Sequence, residues 1–320
     1  MIVPTSSRHL TDTLLMVRPY DFAYNDETGT DNEFQQSDFR GSPEEITAMA
    51  LVEFDTMVRV LRDAGVYVLI PQQSTDGKKT PDAVFPNNWI STEHDGTVIL
   101  YPMAATNRRS EKRIQDIEQL LIDNRFYIKN ILNIGRMNET EYFLEGTGSM
   151  VLDHNARVVY AAQSKRCHPA QLDNFVRIRR YARGILFDTL STHNKPIYHT
   201  NVMMSVGDQF AVICSACIPS MHEREEVLEQ LRITHTLIDI SYEQMEKHFC
   251  GNILHIKNTS GEPLIVMSEN AYNGFTQAQR AILSEHGKIL KTSLTTLETI
   301  GGGSARCMMA EIFLPKIIPA

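Results

Sequence analysis

The chain has 320 residues, 42% hydrophobic and 22% charged, the composition of a globular protein with a sizeable buried core. Its 39 acidic residues outnumber 31 lysines and arginines, the formal charge is −8, and no long basic run occurs, which excludes a dedicated nucleic-acid or anionic-membrane surface. No apolar run reaches the roughly 18 residues of a membrane span, the start MIVPTSSRHL lacks the basic and apolar regions of a signal peptide, and five sparse cysteines suit reduced thiols, so a cytoplasmic location is expected.

In chain order, DTLLMVRP (12–19) reads as a lone strand. The polar stretch 25–42 that follows is predicted to be a mobile loop acting as a lid or binding loop. A helix is predicted from Ser42 to Gly65: Ser42 caps it, Pro43 takes the first helical position, Glu45 closes a capping box and Gly65 stops it. Four strand–turn–strand units follow, at 88–104, 149–162, 202–215 and 252–268, each with Gly, Asn or Asp at the turn and a helical stretch behind it. CMMAEIFL (307–314) is a final lone strand.

Pairing that last strand with the first makes a fifth hairpin and closes a ring, which removes exposed strand edges. The expected fold is therefore a five-bladed α/β propeller of hairpin-plus-helix modules in one domain, residues 1–320. An open sheet of βαβ units is the competing architecture.

Equivalent positions in a ring point to one place. At or just before the first strand of successive hairpins stand Asn88, Glu145, His199 with Asn201, Asn252 and Cys307. A thiol beside an imidazole makes a nucleophile with an acid/base partner, and Glu145 is placed to orient the histidine. The glycines of GGGSARC (301–307) let backbone approach the reacting atoms closely. Each residue also has a plain structural reading: Cys307 as a packed small hydrophobe, His199 as a strand-end histidine, Glu145 as a turn residue. Cys214 and Cys217 have CxxC spacing without a second pair, and a structural reading is preferred to zinc. Arg177, Arg179, Arg180 and Arg183 read as a solvated helix face.

The motifs FPNN (85–88), EGTGS (145–149), YHTN (198–201) and GGGSARC, in this order, resemble the guanidine-modifying enzymes of the pentein fold. These are the deiminases of arginine and agmatine, dimethylarginine hydrolases, amidinotransferases and succinylarginine dihydrolases. The sequence looks most like the citrulline-utilisation hydrolase branch. The resemblance implies that Cys307 is the nucleophile, His199 the general acid/base and Glu145 its carboxylate. It implies that Arg166, in SKR (164–166), holds a substrate α-carboxylate, with Arg108 or Arg109 in RRSE (108–111) as a second arginine site.

Two departures bear on the substrate. Asn88 and Asn201 stand where deiminases carry aspartates that clamp a guanidinium cation, so the site is suited to a neutral ureido group. Asp82 keeps one carboxylate nearby, and EGTGS replaces the EGGD of several relatives. The expected activity is a cysteine-dependent hydrolase without metal or organic cofactor, first acting on citrulline to give ornithine, carbon dioxide and ammonia. The alternatives are an arginine or methylarginine deiminase or an amidinotransferase with the same residues, and a non-catalytic pentein binding protein. The partner expected is a small amino-acid substrate, with neither nucleic acid nor membrane, and a homo-oligomer is left open.

Overall fold

A computed structural model of the chain describes residues 2–3, 10–37, 41–137 and 142–317. Residues 38–40 of the predicted loop fall outside that description. The described residues form five three-stranded sheets and one short two-stranded sheet, in which Ile2–Val3 pairs antiparallel with Lys316–Ile317. In each of the five, the middle strand runs antiparallel to the strand before it and parallel to the strand after it.

The first four sheets are Ile90–Thr92, Thr97–Leu100 and Asn130–Asn133; Val151–Asp153, Val158–Ala162 and Arg183–Phe187; Met204–Val206, Phe210–Ile213 and Thr236–Asp239; and Leu254–Lys257, Pro263–Ser268 and Lys288–Thr292. The fifth joins the two ends of the chain. Ala310–Glu311 pairs antiparallel with Leu14 and Leu15, and Thr13–Leu15 pairs parallel with Tyr67–Leu69. The predicted closure of the ring is therefore present, and the fold is the five-module α/β propeller. Thr92 Oγ1 stitches the fifth module to the first, donating to Glu311 O at 3.0 Å and accepting from the N–H of Phe313 at 2.7 Å.

The third, parallel strand of each module was not anticipated from the sequence, which suggested hairpins and helices alone. Parallel strands need a long crossover, and the predicted helices supply it. The helix Pro43–Asp63 shows how. Ser42 and Glu45 form the capping box, Gly65 follows its end at φ +85°, and Ala50, Phe54, Met57, Val58 and Leu61 form one buried stripe against the sheet. The hairpins turn on local chemistry as well. Asp153 Oδ1 accepts from the N–H groups of Asn155 and Ala156, turning the chain at Asn155 and Ala156.

Four of the five innermost strands are preceded by a short helical turn: Pro86–Asn88, Gly146–Ser149, Thr200–Met203 and Ala305–Met308. These turns and the Asn252 segment are bonded module to module around the axis. Thr147 Oγ1 donates to Asn87 O, Thr200 Oγ1 to Ser149 O, Asn252 Nδ2 to Asn201 O, and the Arg306 N–H to Asn252 O. Buried backbone acceptors at the end of each module are thus satisfied by the next. The same ring of turns sets the side chains of the site.

No helix among the described residues is long and apolar enough to cross a membrane. Cys214 and Cys217 lie where a strand runs into a turn, both buried, with Cys217 Sγ donating to Cys214 O at 2.9 Å. Among the described residues no three His, Cys, Asp or Glu side chains gather to hold a metal ion. Of the four arginines expected on a solvated helix face, Arg177 and Arg180 are exposed, Arg183 is exposed but begins the strand Arg183–Phe187 instead of lying on the helix, and Arg179 is largely buried against Glu93 and Asp95, each at 2.8 Å.

Candidate active site

Cys307 ends the segment that begins with three glycines, and it is held in a 3₁₀ turn by its N–H bond to Ser304 O at 3.0 Å. The glycines serve packing. A Cβ on Gly301 would lie 2.8 Å from the Phe85 ring, and Gly302 takes φ +62° at the end of the helix Thr295–Gly301, where Asn32 and Gln35 leave no room for a side chain. Cys307 is 2% exposed. Its thiol touches two amides: Asn252 Nδ2 donates to Sγ at 3.2 Å and Asn201 Nδ2 at 3.5 Å. Burial pushes the Cys307 thiol above its ordinary value, and the Asn252 bond opposes that rise.

His199 and Glu145 form a buried pair, Nε2 to Oε2 at 2.8 Å. Burial drives the imidazole down to about 4, against the pull of Glu145. Burial also works to raise Glu145, but Arg166, His199 and Arg108 outweigh it and hold the carboxylate at about 2. The two arginines stand 3.6 and 3.9 Å from Glu145 Oε2. At neutral pH the pair is therefore a carboxylate accepting the Nε2–H of a neutral imidazole, which leaves Nδ1 as the basic nitrogen. Gly148 makes room for that nitrogen: a Cβ there would stand 2.9 Å from Nδ1 and 2.4 Å from Asn88 Nδ2.

A narrow cavity is walled by Thr28, Asp82, Asn88, Arg108, Arg166, Tyr198, His199 and Cys307, with Gly301 and Gly303. A wider cleft, lined by Phe34, His193, Glu246 and Glu298 among others, contains none of these residues, so the chemistry belongs to the narrower space. Eight of the nine residues singled out from the sequence meet at or directly beneath the cavity. Arg109 does not; it turns away, its Nε donating to Met103 O and its guanidinium facing the Phe143 ring.

Two of the eight do something different from what their types suggested. Arg108 is locked by the protein: Nε and Nη2 grip Glu111 at 2.9 Å each, and Nη1 donates to Asn88 Oδ1 at 2.8 Å. Asn201 contacts the thiol and also lines a small space on the far side of Cys307, with Ser205, His255 and Arg306. Asn88 keeps one N–H on Asn87 Oδ1 at 2.9 Å, while its oxygen accepts from Arg108. Asp82 Oδ2 accepts from Asn25 and Thr28, and its Oδ1 has no hydrogen-bond partner.

The sequence places Asn252 at the converging module positions and reads 25–42 as a lid or binding loop, but the bond from Asn252 to the thiol and the clasp of Asp31 on Arg166 come only from the structure. Asn252 carries no motif neighbour, and only its register in the module marked it. The segment 25–37 lies over the cavity as a strap: Thr28 and Asn32 line it, and Asp31 grips Arg166 through both carboxylate oxygens.

A profile described as "N,N dimethylarginine dimethylhydrolase, eukaryotic" matches residues 18–314. Among curated proteins no sequence matches. The fold is similar to the N-terminal domain of ArgZ, an arginine dihydrolase from the ornithine-ammonia cycle in cyanobacteria, in a cysteine-to-serine variant bound to substrate. That likeness has a TM-score of 0.70 at 14% identity, over 93% of this chain and 97% of the other. AgrE in complex with L-arginine matches with TM-score 0.67 at 16% identity, over 93% of this chain and 40% of the other. A dimethylarginine dimethylaminohydrolase adduct with S-methyl-L-thiocitrulline matches with TM-score 0.64 at 14% identity, over 94% and 99%.

Proposed function

The chain belongs to the N,N dimethylarginine dimethylhydrolase family, enzymes that hydrolyse carbon–nitrogen bonds of guanidino groups, and from that premise we propose that it acts on the ureido group of an arginine-derived amino acid, citrulline first. The observation that carries the choice is the orientation of Asn88. Arginine only donates, so the bond from Arg108 Nη1 fixes the amide with its oxygen turned toward Arg108. The amide then offers an N–H to the cavity. A guanidinium is itself all donors and needs acceptors, whereas a ureido oxygen needs a donor.

Neutral His199 Nδ1 takes the proton of Cys307 as the sulfur attacks the ureido carbon, and the Asn88 N–H supports the oxygen as charge develops on it. His199 then returns the proton to the departing amine of ornithine. A carbamoyl group remains on Cys307. Water, deprotonated by His199, displaces the sulfur to give carbamate, which falls to carbon dioxide and ammonia. Glu145 keeps the imidazole in the required tautomer and steadies it when it is protonated. Asp82 Oδ1, an unpartnered acceptor at the cavity wall, suits the α-ammonium of an amino acid.

Asp82 also supports a second reading, in which arginine enters the same site and is carried through the ureido stage. Separate incubations with citrulline, arginine and methylated arginines, followed by ammonia, ornithine and citrulline assays, distinguish the two. Turnover of citrulline to ornithine, lost in Cys307→Ser, is the expected result. Citrulline accumulating from arginine with no turnover of added citrulline overturns the ureido reading.

A further inference from the structure

Two guanidinium groups line the cavity, and both are already paired with carboxylates. The two pairs differ in kind. Glu111 is three residues from Arg108 and its side chain is 1% exposed, so that pair is part of the core. Asp31 is 135 residues from Arg166, its side chain is 18% exposed, and it sits on the strap rather than on a strand or helix. Arg166 is prepared for a carboxylate. Its guanidinium lies over the Tyr198 ring at 4.7 Å, Tyr198 OH is tied to Gly302 O, and Nη2 also reaches Thr28 O at 3.1 Å.

The strap seals what lies beneath. With it in place, Cys307 and His199 are each 2% exposed. Asp31 thus holds closed the site whose arginine it occupies. We propose that Asp31 is an internal stand-in for a substrate carboxylate: a ligand carboxylate displaces it from the fork of Arg166, and this exchange, which releases the strap, sets the preference of the site for α-carboxylate substrates. The fork is planar and bidentate, so it takes one carboxylate at a time. Asp31 returns to solvent when displaced, while Arg166 keeps a paired charge throughout, so no buried cation is left bare.

The inference rests on the reading of this cavity as an amino-acid site, and two measurements keep the two apart. The first needs no substrate. Alkylation of Cys307 by iodoacetamide at fixed pH is compared in the full chain and in Asp31→Asn, with Asp31→Ser as a second variant and circular dichroism as the check on folding. Loss of the charged pair is expected to speed alkylation about tenfold, the size of one charge-assisted hydrogen bond. The second uses Cys307→Ser, with and without Asp31→Asn, and measures Kd for citrulline and for citrullinamide, which lacks the carboxylate. Asp31→Asn is expected to tighten citrulline relative to the amide. Faster alkylation with no binding of either ligand upholds the latch and removes the substrate reading. Unchanged alkylation in both folded variants, or a citrulline Kd that weakens with Asp31→Asn, overturns the proposal.

Discussion

Asn252 Nδ2 stands 3.2 Å from Cys307 Sγ, and the same amide's Oδ1 accepts the Cys307 N–H at 3.4 Å. One side chain therefore fixes both the backbone and the sulfur of the nucleophile. Its second N–H is spent on Asn201 O at 2.8 Å, so the amide cannot turn.

Because burial raises the Cys307 thiol and this donor opposes it, removing the donor should raise it further. In Asn252→Ala the pH profile of Cys307 alkylation is expected to move to higher pH, and kcat to fall roughly ten- to hundredfold, as for a lost hydrogen bond to a charged group. Asn252→Asp, which places a carboxylate beside the sulfur, should move the profile further still. A profile that stays where it is in both variants would show that the amide only packs there.

The His199–Glu145 pair links the site to stability. His199 ordinarily titrates near 6.5 and is held at about 4, so the unfolded chain binds its proton first. The stabilisation from keeping the ring neutral is full above pH 6.5 and is lost as pH falls toward 4. Glu145, lowered from 4.5 to about 2, adds a loss below pH 4.5. The histidine share is isolated by difference. Urea unfolding of the full chain and of His199→Asn between pH 7 and 4.5 should show the gap between them narrowing as pH falls, and a constant gap would count against a buried neutral imidazole.

Much of this arrangement was legible because it is local or modular. The capping box of Ser42 and Glu45 and the turn at Gly65 act within a few residues, and the hairpins declare themselves by alternating apolar residues around polar turns. The register of Asn88, Glu145, His199 and Cys307 follows from repetition of the module. The third strands are different. Asn130–Asn133 has two exposed and two half-buried residues, and Lys288–Thr292 mixes exposed and buried positions, so neither shows a clean apolar face. The clasp between Asp31 and Arg166 spans 135 residues and has no spacing to reveal it. The sequence leaves Arg108 and Arg109 as alternatives, and only the bonds of Arg108 to Glu111 and Asn88 show that it orients an amide.

Gly148 sits inside a helical turn, where alanine would ordinarily gain about 1 kcal/mol. Here the added Cβ would meet Asn88 Nδ2 at 2.4 Å and His199 at 2.9 Å, and both neighbours are pinned by hydrogen bonds. Overpacking of this kind costs about 1–3 kcal/mol, which outweighs the helical gain. Gly148→Ala should therefore lower the urea midpoint and depress kcat more than it raises KM. A more stable, fully active variant would mean that the His199 ring has room to move.

Asn88→Asp tests the substrate reading through charge. The carboxylate would still accept from Arg108 Nη1, so the fold and Arg108 are expected to survive the change. The cavity, however, would lose the N–H that supports a ureido oxygen and gain an acceptor for guanidinium N–H groups. Next to Glu145 at about 2 and the unpartnered Asp82 Oδ1, the added charge favours a cationic substrate. The ratio of kcat/KM for citrulline to that for arginine is expected to fall by at least tenfold, chiefly through loss on citrulline, since one bond to a developing oxyanion is worth roughly 2–4 kcal/mol. If the ratio is unchanged while both rates drop together, Asn88 serves only to position Arg108, and the preference for a ureido group must then come from elsewhere in the wall.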